Sequence, residues 1–483
     1  MKALIIGAVM AFGLAASAVA APPEVTAVPG APTLGLAAYD LKTVGYVVEE
    51  HFLKGTAQSY RKVGEAGPDG KWQAEPADTA AYATRIVVVR PADPAKFNGT
   101  VAVEWLNVTS GLDLGPDWAY THREMMRAGY AYVAVSVQKV GVEGGNSMGG
   151  PSVGALKKAN PARYGALSHP GDAYAFDIFS QAGRVVRQGD VLRGLKPRRL
   201  LALGESQSAI FMTTYINAID PMAKVYDGFY VHSRFGGAPG VDSSRTPPQQ
   251  SQTGVRFRTD ARVPIMTVLA ETDVASPGGW WLADQPDNAK LRVWQIPGAA
   301  HADTYMLQVS AADSGLAPIE KLAPLWKPTK ITISGVMAKP INAAPQHHYV
   351  AQAALAALET WVRTGKAPPK APRIDLTPGK AGGAATLTLD ANGNATGGIR
   401  TPWQDVPTAK LSGFGNSGGP FAGLLGSTEP YDADTLKRLY PGGKGEYLKA
   451  FDAALSRTIK AGFILEADRA EIRALAAALY PQG

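Results

Sequence analysis

The sequence predicts an α/β protein, a mainly parallel sheet with helices on both faces. Three observations carry that prediction. Short apolar runs such as "VAVEW" and "LLALG" are nearly continuous rather than alternating, which suits strands covered on both sides. Helix-like segments separate them, as the connections of a parallel sheet require. The chain has 483 residues, 46% of them hydrophobic, enough to bury a large core.

The elements follow in order. Residues 45–57 and 82–92 read as paired antiparallel strands, and 99–107 as the next strand. A helix is expected from about 118 to 127 and a strand at 131–138. Residues 173–186 have helical spacing, with Asp172 placed to cap them. "RRLLALG" is a strand, followed by strands at 225–233, 263–271 and 291–298. Residues 348–365 form an amphipathic helix ended by glycine, and "KAPPKAPR" stops it firmly. This core, about 40–370, precedes an extension over about 371–483. There, 385–398 reads as a hairpin with Asn-Gly in its turn, and the tail from 434 is helical. Between them, "LSGFGNSGGPFAGLLGS" lacks the Gly-Lys-Ser/Thr ending of a phosphate loop, so it is structural or substrate-facing.

Composition narrows the function classes. Charged residues are 18% and the net charge is +7, scattered with no long Lys/Arg run, so no nucleic-acid partner is expected. The N-terminus has Lys2, an apolar run, then Ala18-Val19-Ala20 before Ala21. That is the layout of a secretory signal peptide over 1–20, with 21–483 as a single exported, periplasmic or secreted domain. No later segment is apolar enough to span a bilayer. There are no cysteines, which rules out thiol catalysis and cysteine-ligated metal.

One short stretch carries chemistry. "LLALGESQSAIFMTTYINAI" is a strand running straight into a helix. Gly204-Glu205-Ser206-Gln207-Ser208 matches the nucleophile elbow G-x-S-x-G, with serine at the second glycine position. Such a turn strains its central residue and presents the serine at the sheet edge. The competing reading is a helix-capping serine. A nucleophilic serine needs a base, and the base an orienting acid, in the chain order Ser, acid, His. Of seven histidines, His51, His122, His169 and His232 break that order. His301 follows a strand in "GAAHADTY". His347 and His348 begin a helix and read as capping or packing residues. Asp273, just past the strand at 263–271, is the favoured acid, and Glu271 the fallback. Oxyanion donors are expected from the backbone of Gln207 and from Asn107 or Val108 in the loop after residues 99–107. Trp280, Trp281 and Tyr305 are candidates for a binding wall, against the commoner fate of core packing. Residues 234–262, polar and rich in Gly, Pro and Gln, read as an excursion over the site.

The chain resembles the large bacterial group known as alpha/beta hydrolase domain proteins. The resemblance lies in "VAVEWLNVTSGLDLGPDW", "LALGESQSA", "ETDV", "GAAHADTY", "HHYVAQAALAALETWVRTGKAPP", "GNATGGIRTPWQDVP" and "GSTEPYDADTLKRLYP". It implies an α/β-hydrolase fold, a nucleophile at Ser206 and a histidine at His301. The expected function is an exported serine hydrolase acting on a carboxylic ester, a small molecule or a glycan or lipid ester, without metal or organic cofactor. No zinc-type spacing such as H-E-x-x-H occurs. The rivals are an amidase or peptidase using the same residues, and a non-catalytic binding protein on the same scaffold.

Overall fold

The computed structural model describes residues 21–148, 150–242, 253–333, 335–380 and 382–481. The expected leader, 1–20, and the middle of the excursion, 243–252, lie outside the described residues.

The largest sheet has nine strands: β1 (Glu24–Val28), β2 (Tyr46–Val63), β3 (Gln73–Pro91), β4 (Thr100–Trp105), β5 (Ala131–Val135), β6 (Arg199–Glu205), β7 (Gly228–His232), β8 (Ile265–Ala270) and β9 (Leu291–Ile296). Their spatial order is β1-β2-β3-β5-β4-β6-β7-β8-β9. β1, β2 and β3 pair antiparallel, as do β3 and β5. From β5 onward every pairing is parallel. The first two long strands extend beyond the expected bounds and make a ribbon with a register shift between Gln58 and Tyr60.

Strand periodicity divides the core into two layers. Val101, Val103 and Trp105 of β4 point to one side, against Phe176 and Phe179 of α2 (Ala175–Gln188). Ala102 points to the other, into the layer that holds Leu355 and Leu358 of α5 (Gln346–Thr364). That layer also takes in α1 (Pro116–Arg127). Both faces of the parallel strands are covered, which is why they read as continuous apolar runs. Each fully buried leucine or valine contributes roughly 1.5–3 kcal/mol relative to exposure.

Two local expectations are corrected. Helix α2 begins without a side-chain cap. Asp172 instead sits one turn earlier, where its carboxylate accepts from the Lys139 N–H at 2.8 Å and from Gln138 Nε2 at 3.1 Å. The Asn-Gly turn forms, with Asp390 N–H donating to the Asn394 carbonyl at 2.8 Å. Its ladder is only the bridge Leu389–Ala395, because Thr386–Leu387 pairs with Leu376–Thr377 instead.

The extension contributes a second antiparallel pair, β10 (Ala409–Ser412) and β11 (Ser427–Pro430), then α6 (Gly443–Lys460) and α7 (Arg469–Leu479). Helix α7 is fastened to α1 and α5. Glu471 accepts from Arg123 at 2.5 Å and from the Tyr349 hydroxyl at 2.6 Å, while Asp468 pairs with Arg127 at 2.7 Å.

Candidate active site

The carboxyl ends of the parallel strands gather the site, the usual place for a crevice in an open α/β sheet. Ser206 sits between β6 and α3 (Gln207–Thr214) at φ 58 and ψ −119, a conformation that costs a non-glycine residue of order 1–3 kcal/mol. Packing holds it there. The Ser206 N–H donates to the His232 carbonyl at 3.0 Å, and the Ser206 carbonyl accepts from the Ile210 N–H at 3.1 Å. A Cβ on Gly204 would lie 3.1 Å from the Ser208 carbonyl, which explains the small residues on either side of the serine.

His301 follows β9. Its Nε2 lies 2.8 Å from Ser206 Oγ and its Nδ1 lies 2.6 Å from Asp273 Oδ1. Asp273 stands in α4 (Glu271–Ala275), the short helix after β8, and its other oxygen accepts the Ala270 N–H at 2.7 Å. The structure thus brings Ser206, His301 and Asp273 together. Glu271, the fallback acid, points elsewhere. Its oxygens accept the Gly298 N–H at 2.5 Å and the Gly413 N–H at 2.7 Å, so it joins the His301 loop to the extension. Burial, opposed by those two N–H bonds, raises its pKa from 4.5 to about 7.

The expected oxyanion donors are only partly available. Asn107 is removed as a backbone donor, because its N–H bonds the Leu114 carbonyl at 2.9 Å in a bridge that closes the loop. Its side-chain amide holds Glu205, 3.2 Å from both the carbonyl and Oε2. The Val108 N–H meets Gln207 Oε1 at a long 3.3 Å, a bond that a better acceptor can replace. The Gln207 N–H is the first of α3, and the first turn of a helix has no intrahelical acceptors for its N–H groups.

A cavity of about 140 Å³ opens beside Ser206 and His301. Asn107, Thr109, Ser110 and Glu205 supply its polar edge; Leu114, Met306, Leu307, Phe421, Leu424 and Leu425 supply its apolar wall. The tryptophans are not on it. Trp280 is fully buried, its indole N–H on Asp284 Oδ1 at 3.1 Å and its ring 4.9 Å from the Arg234 guanidinium. Trp281 donates to the Ser276 carbonyl at 3.3 Å. Tyr305 is also buried and stacks on His348 at 3.7 Å. In their place, a π-helical turn, Tyr305–Val309, directs Met306 and Leu307 into the cavity. From the excursion, Phe235 lies 5.3 Å from the His301 ring.

Glu205 is the residue that sequence reasoning passed over, although it lies inside the motif. Its Oε1 is 3.5 Å from His301 Nε2. Burial first, and then the carboxylates of Asp117, Asp273 and Glu104, push its pKa well above the usual range. Burial therefore favours the neutral form of this carboxyl beside the imidazole.

A second buried polar chain runs behind the site. Asp117 Oδ1 meets His232 Nδ1 at 2.9 Å, and His232 Nε2 meets His347 Nε2 at 2.9 Å. His347 Nδ1 faces Asp303 at 3.4 Å. Elsewhere, Asp313, His348 and Glu471 bring ligand-type atoms within 4.8 Å of one another. The Arg123 guanidinium already bonds both carboxylates, at 3.2 and 2.5 Å, and supplies the positive charge that a metal would bring.

The family described as alpha/beta hydrolase domain matches residues 19–474. No curated protein matches the chain. Among solved structures, one of two fungal esterases from Rhizomucor miehei aligns at 11% identity and a TM-score of 0.33, covering 64% of this chain and 85% of that one. Acetyl xylan esterase 1 from Thermoanaerobacterium sp. JW/SL YS485 aligns at 12% identity and a TM-score of 0.30, covering 58% of this chain and 84% of its own.

Proposed function

The chain belongs to the alpha/beta hydrolase domain family, and from that premise we propose that it is a serine hydrolase that cleaves carboxylic esters through an acyl-enzyme. The carrying observation is the unbroken series from Ser206 Oγ to His301 at 2.8 Å and from His301 to Asp273 at 2.6 Å. In that geometry Ser206 Oγ attacks the acyl carbon while its proton passes to His301 Nε2. Asp273 keeps Nδ1 protonated and balances the imidazolium. The carbonyl electrons move onto oxygen, where the N–H groups of Gln207 and Val108 receive them; Val108 exchanges the Gln207 amide oxygen for the oxyanion.

Collapse expels the alcohol, which takes the proton from His301. Water then gives a proton to His301 and attacks the acyl-enzyme. A second collapse releases the acid and returns the proton to Ser206. Burial raises the Glu205 pKa, which favours a neutral carboxyl beside the base. An ionised carboxylate 3.5 Å from Nε2 would favour the protonated imidazole and lower the fraction available as a base.

A fluorophosphonate probe tests the reading. The wild type should be labelled and Ser206→Ala should not. An unlabelled wild type would overturn the proposal, and preferential turnover of amides over matched esters would overturn its ester half.

A further inference from the structure

We infer that the ester presented to Ser206 carries one compact apolar group, the size of a single ring or a five- to six-carbon chain, and that the extension beyond residue 371 selects it. This rests on the serine-hydrolase reading and names its substrate class. The cavity at Ser206 measures about 140 Å³. An apolar cavity of about 150 Å³ is known to take up benzene, so the space suits that volume and not a long acyl chain. Its wall is apolar, and the polar atoms gather at the serine end, where the ester itself must lie. There the hydroxyls of Thr109 and Ser110 have no partner among the described residues.

The wall is built rather than draped. The Leu424 carbonyl accepts the N–H of Ala302, the residue after His301, at 3.0 Å. The Leu425 carbonyl accepts the Asn342 N–H at 2.9 Å. Asn342 in turn donates its side-chain amide to the Gly298 carbonyl at 2.8 Å and to the Ser412 carbonyl at 2.9 Å. Met337, Ile341, Ala422 and Leu425 form a small core of their own, with Ala302 and Leu307 packed against it. The glycine-rich loop between β10 and β11 is thus clamped by its backbone to the histidine loop, and Phe421, Leu424 and Leu425 line the cavity from it. Ile333, 92% exposed, stands at the rim and leaves the mouth open to solvent on an apolar lip.

Fixed walls make a size filter. Each methylene that enters should raise kcat/KM about fourfold until the space is full, and further carbons should lower it. The experiment is a p-nitrophenyl ester series from acetate to laurate, with a matching series of acetate esters of lengthening alcohols, on the full chain. Wild type should peak near five to six carbons in one of the two series, and the series that peaks identifies the group seated in the cavity. Leu424→Trp should move the peak to acetate or propionate length, and Phe421→Ala should move it to longer chains. Labelling of all three proteins by the fluorophosphonate probe reports separately that the nucleophile is intact. Labelled proteins with flat profiles, or with one peak unmoved by both substitutions, would overturn the inference and leave the hydrolase reading standing. Absence of labelling and of ester turnover in the wild type would overturn both.

Discussion

Among the described residues, two short buried carboxylate–imidazole pairs aim their imidazoles at different partners. Asp273–His301 and Asp117–His232 have similar lengths, 2.6 and 2.9 Å, and almost no side-chain exposure, 0% and 5% in the first and 0% for both groups of the second. Burial therefore does not separate them. The other ring nitrogen does. His301 Nε2 faces a strained serine hydroxyl at the edge of a cavity, whereas His232 Nε2 faces a second imidazole in the sealed interior. Only one proton fits between two Nε2 atoms, so the inner pair can hold a proton but cannot hand one to a substrate. The pairing of acid and base is common to both; they differ in what the base is aimed at.

Breaking each pair should have opposite signatures. Asp273→Asn should lower kcat by about 10⁴-fold with little change in thermal unfolding, because the amide no longer holds the tautomer that leaves Nε2 free. Asp117→Asn, tested alongside, should stay within about tenfold of wild type. Similar losses in the two variants would erase the distinction between them.

His232→Ala should appear in stability. It removes a fully buried ring and leaves Asp117 Oδ1 and His347 Nε2 without their hydrogen-bond partner, at a cost of about 2–4 kcal/mol in urea unfolding. The effect should depend on pH. Burial, with His347 next, holds the His232 pKa well below 6.5, so the ring is neutral in the fold and takes up a proton on unfolding. A lowered folded pKa gives stability that is present above the unfolded value and lost as pH falls below it. The gap between wild type and His232→Ala should therefore shrink by about 1 kcal/mol per unit as pH drops from 6.5 to 5. A gap constant over that range would mean that His232 is already charged in the fold.

The outer pair was legible in the sequence and the inner one was not. Ser206 announces itself locally, as a serine between small residues where an apolar strand meets a helix. His301 and Asp273 follow from chain order and from standing just past β9 and β8. Asp117–His232 joins residues 115 positions apart, and His232–His347 a further 115, and no spacing in the sequence encodes either contact. The cavity wall was half legible: the glycine-rich loop read as structural or substrate-facing, and it supplies Phe421, Leu424 and Leu425, but no spacing says which side chains those are. Leu424 meets Ala302 across the fold, whereas Trp280, conspicuous in the sequence, is drawn into the core around Arg234. The Asn107 backbone was a fair donor candidate until the Asn107–Leu114 bridge used it. A motif fixes where a nucleophile points; what it meets is set by long-range packing.

The smallest expected effect concerns Glu205, which touches the outer pair without belonging to it. If its carboxyl is neutral beside His301, an uncharged amide of the same shape should replace it almost silently. Glu205→Gln keeps an oxygen for the Asn107 amide and brings no charge near Nε2, so kcat/KM should stay within about threefold of wild type at pH 7. A loss of a hundredfold or more would mean that Glu205 works as an anion or as a proton carrier, and that the base is shared between two acids. A near-silent substitution would leave Asp273 as the acid that orients His301, and would assign the buried glutamate to holding the Asn107 loop in place beside the nucleophile.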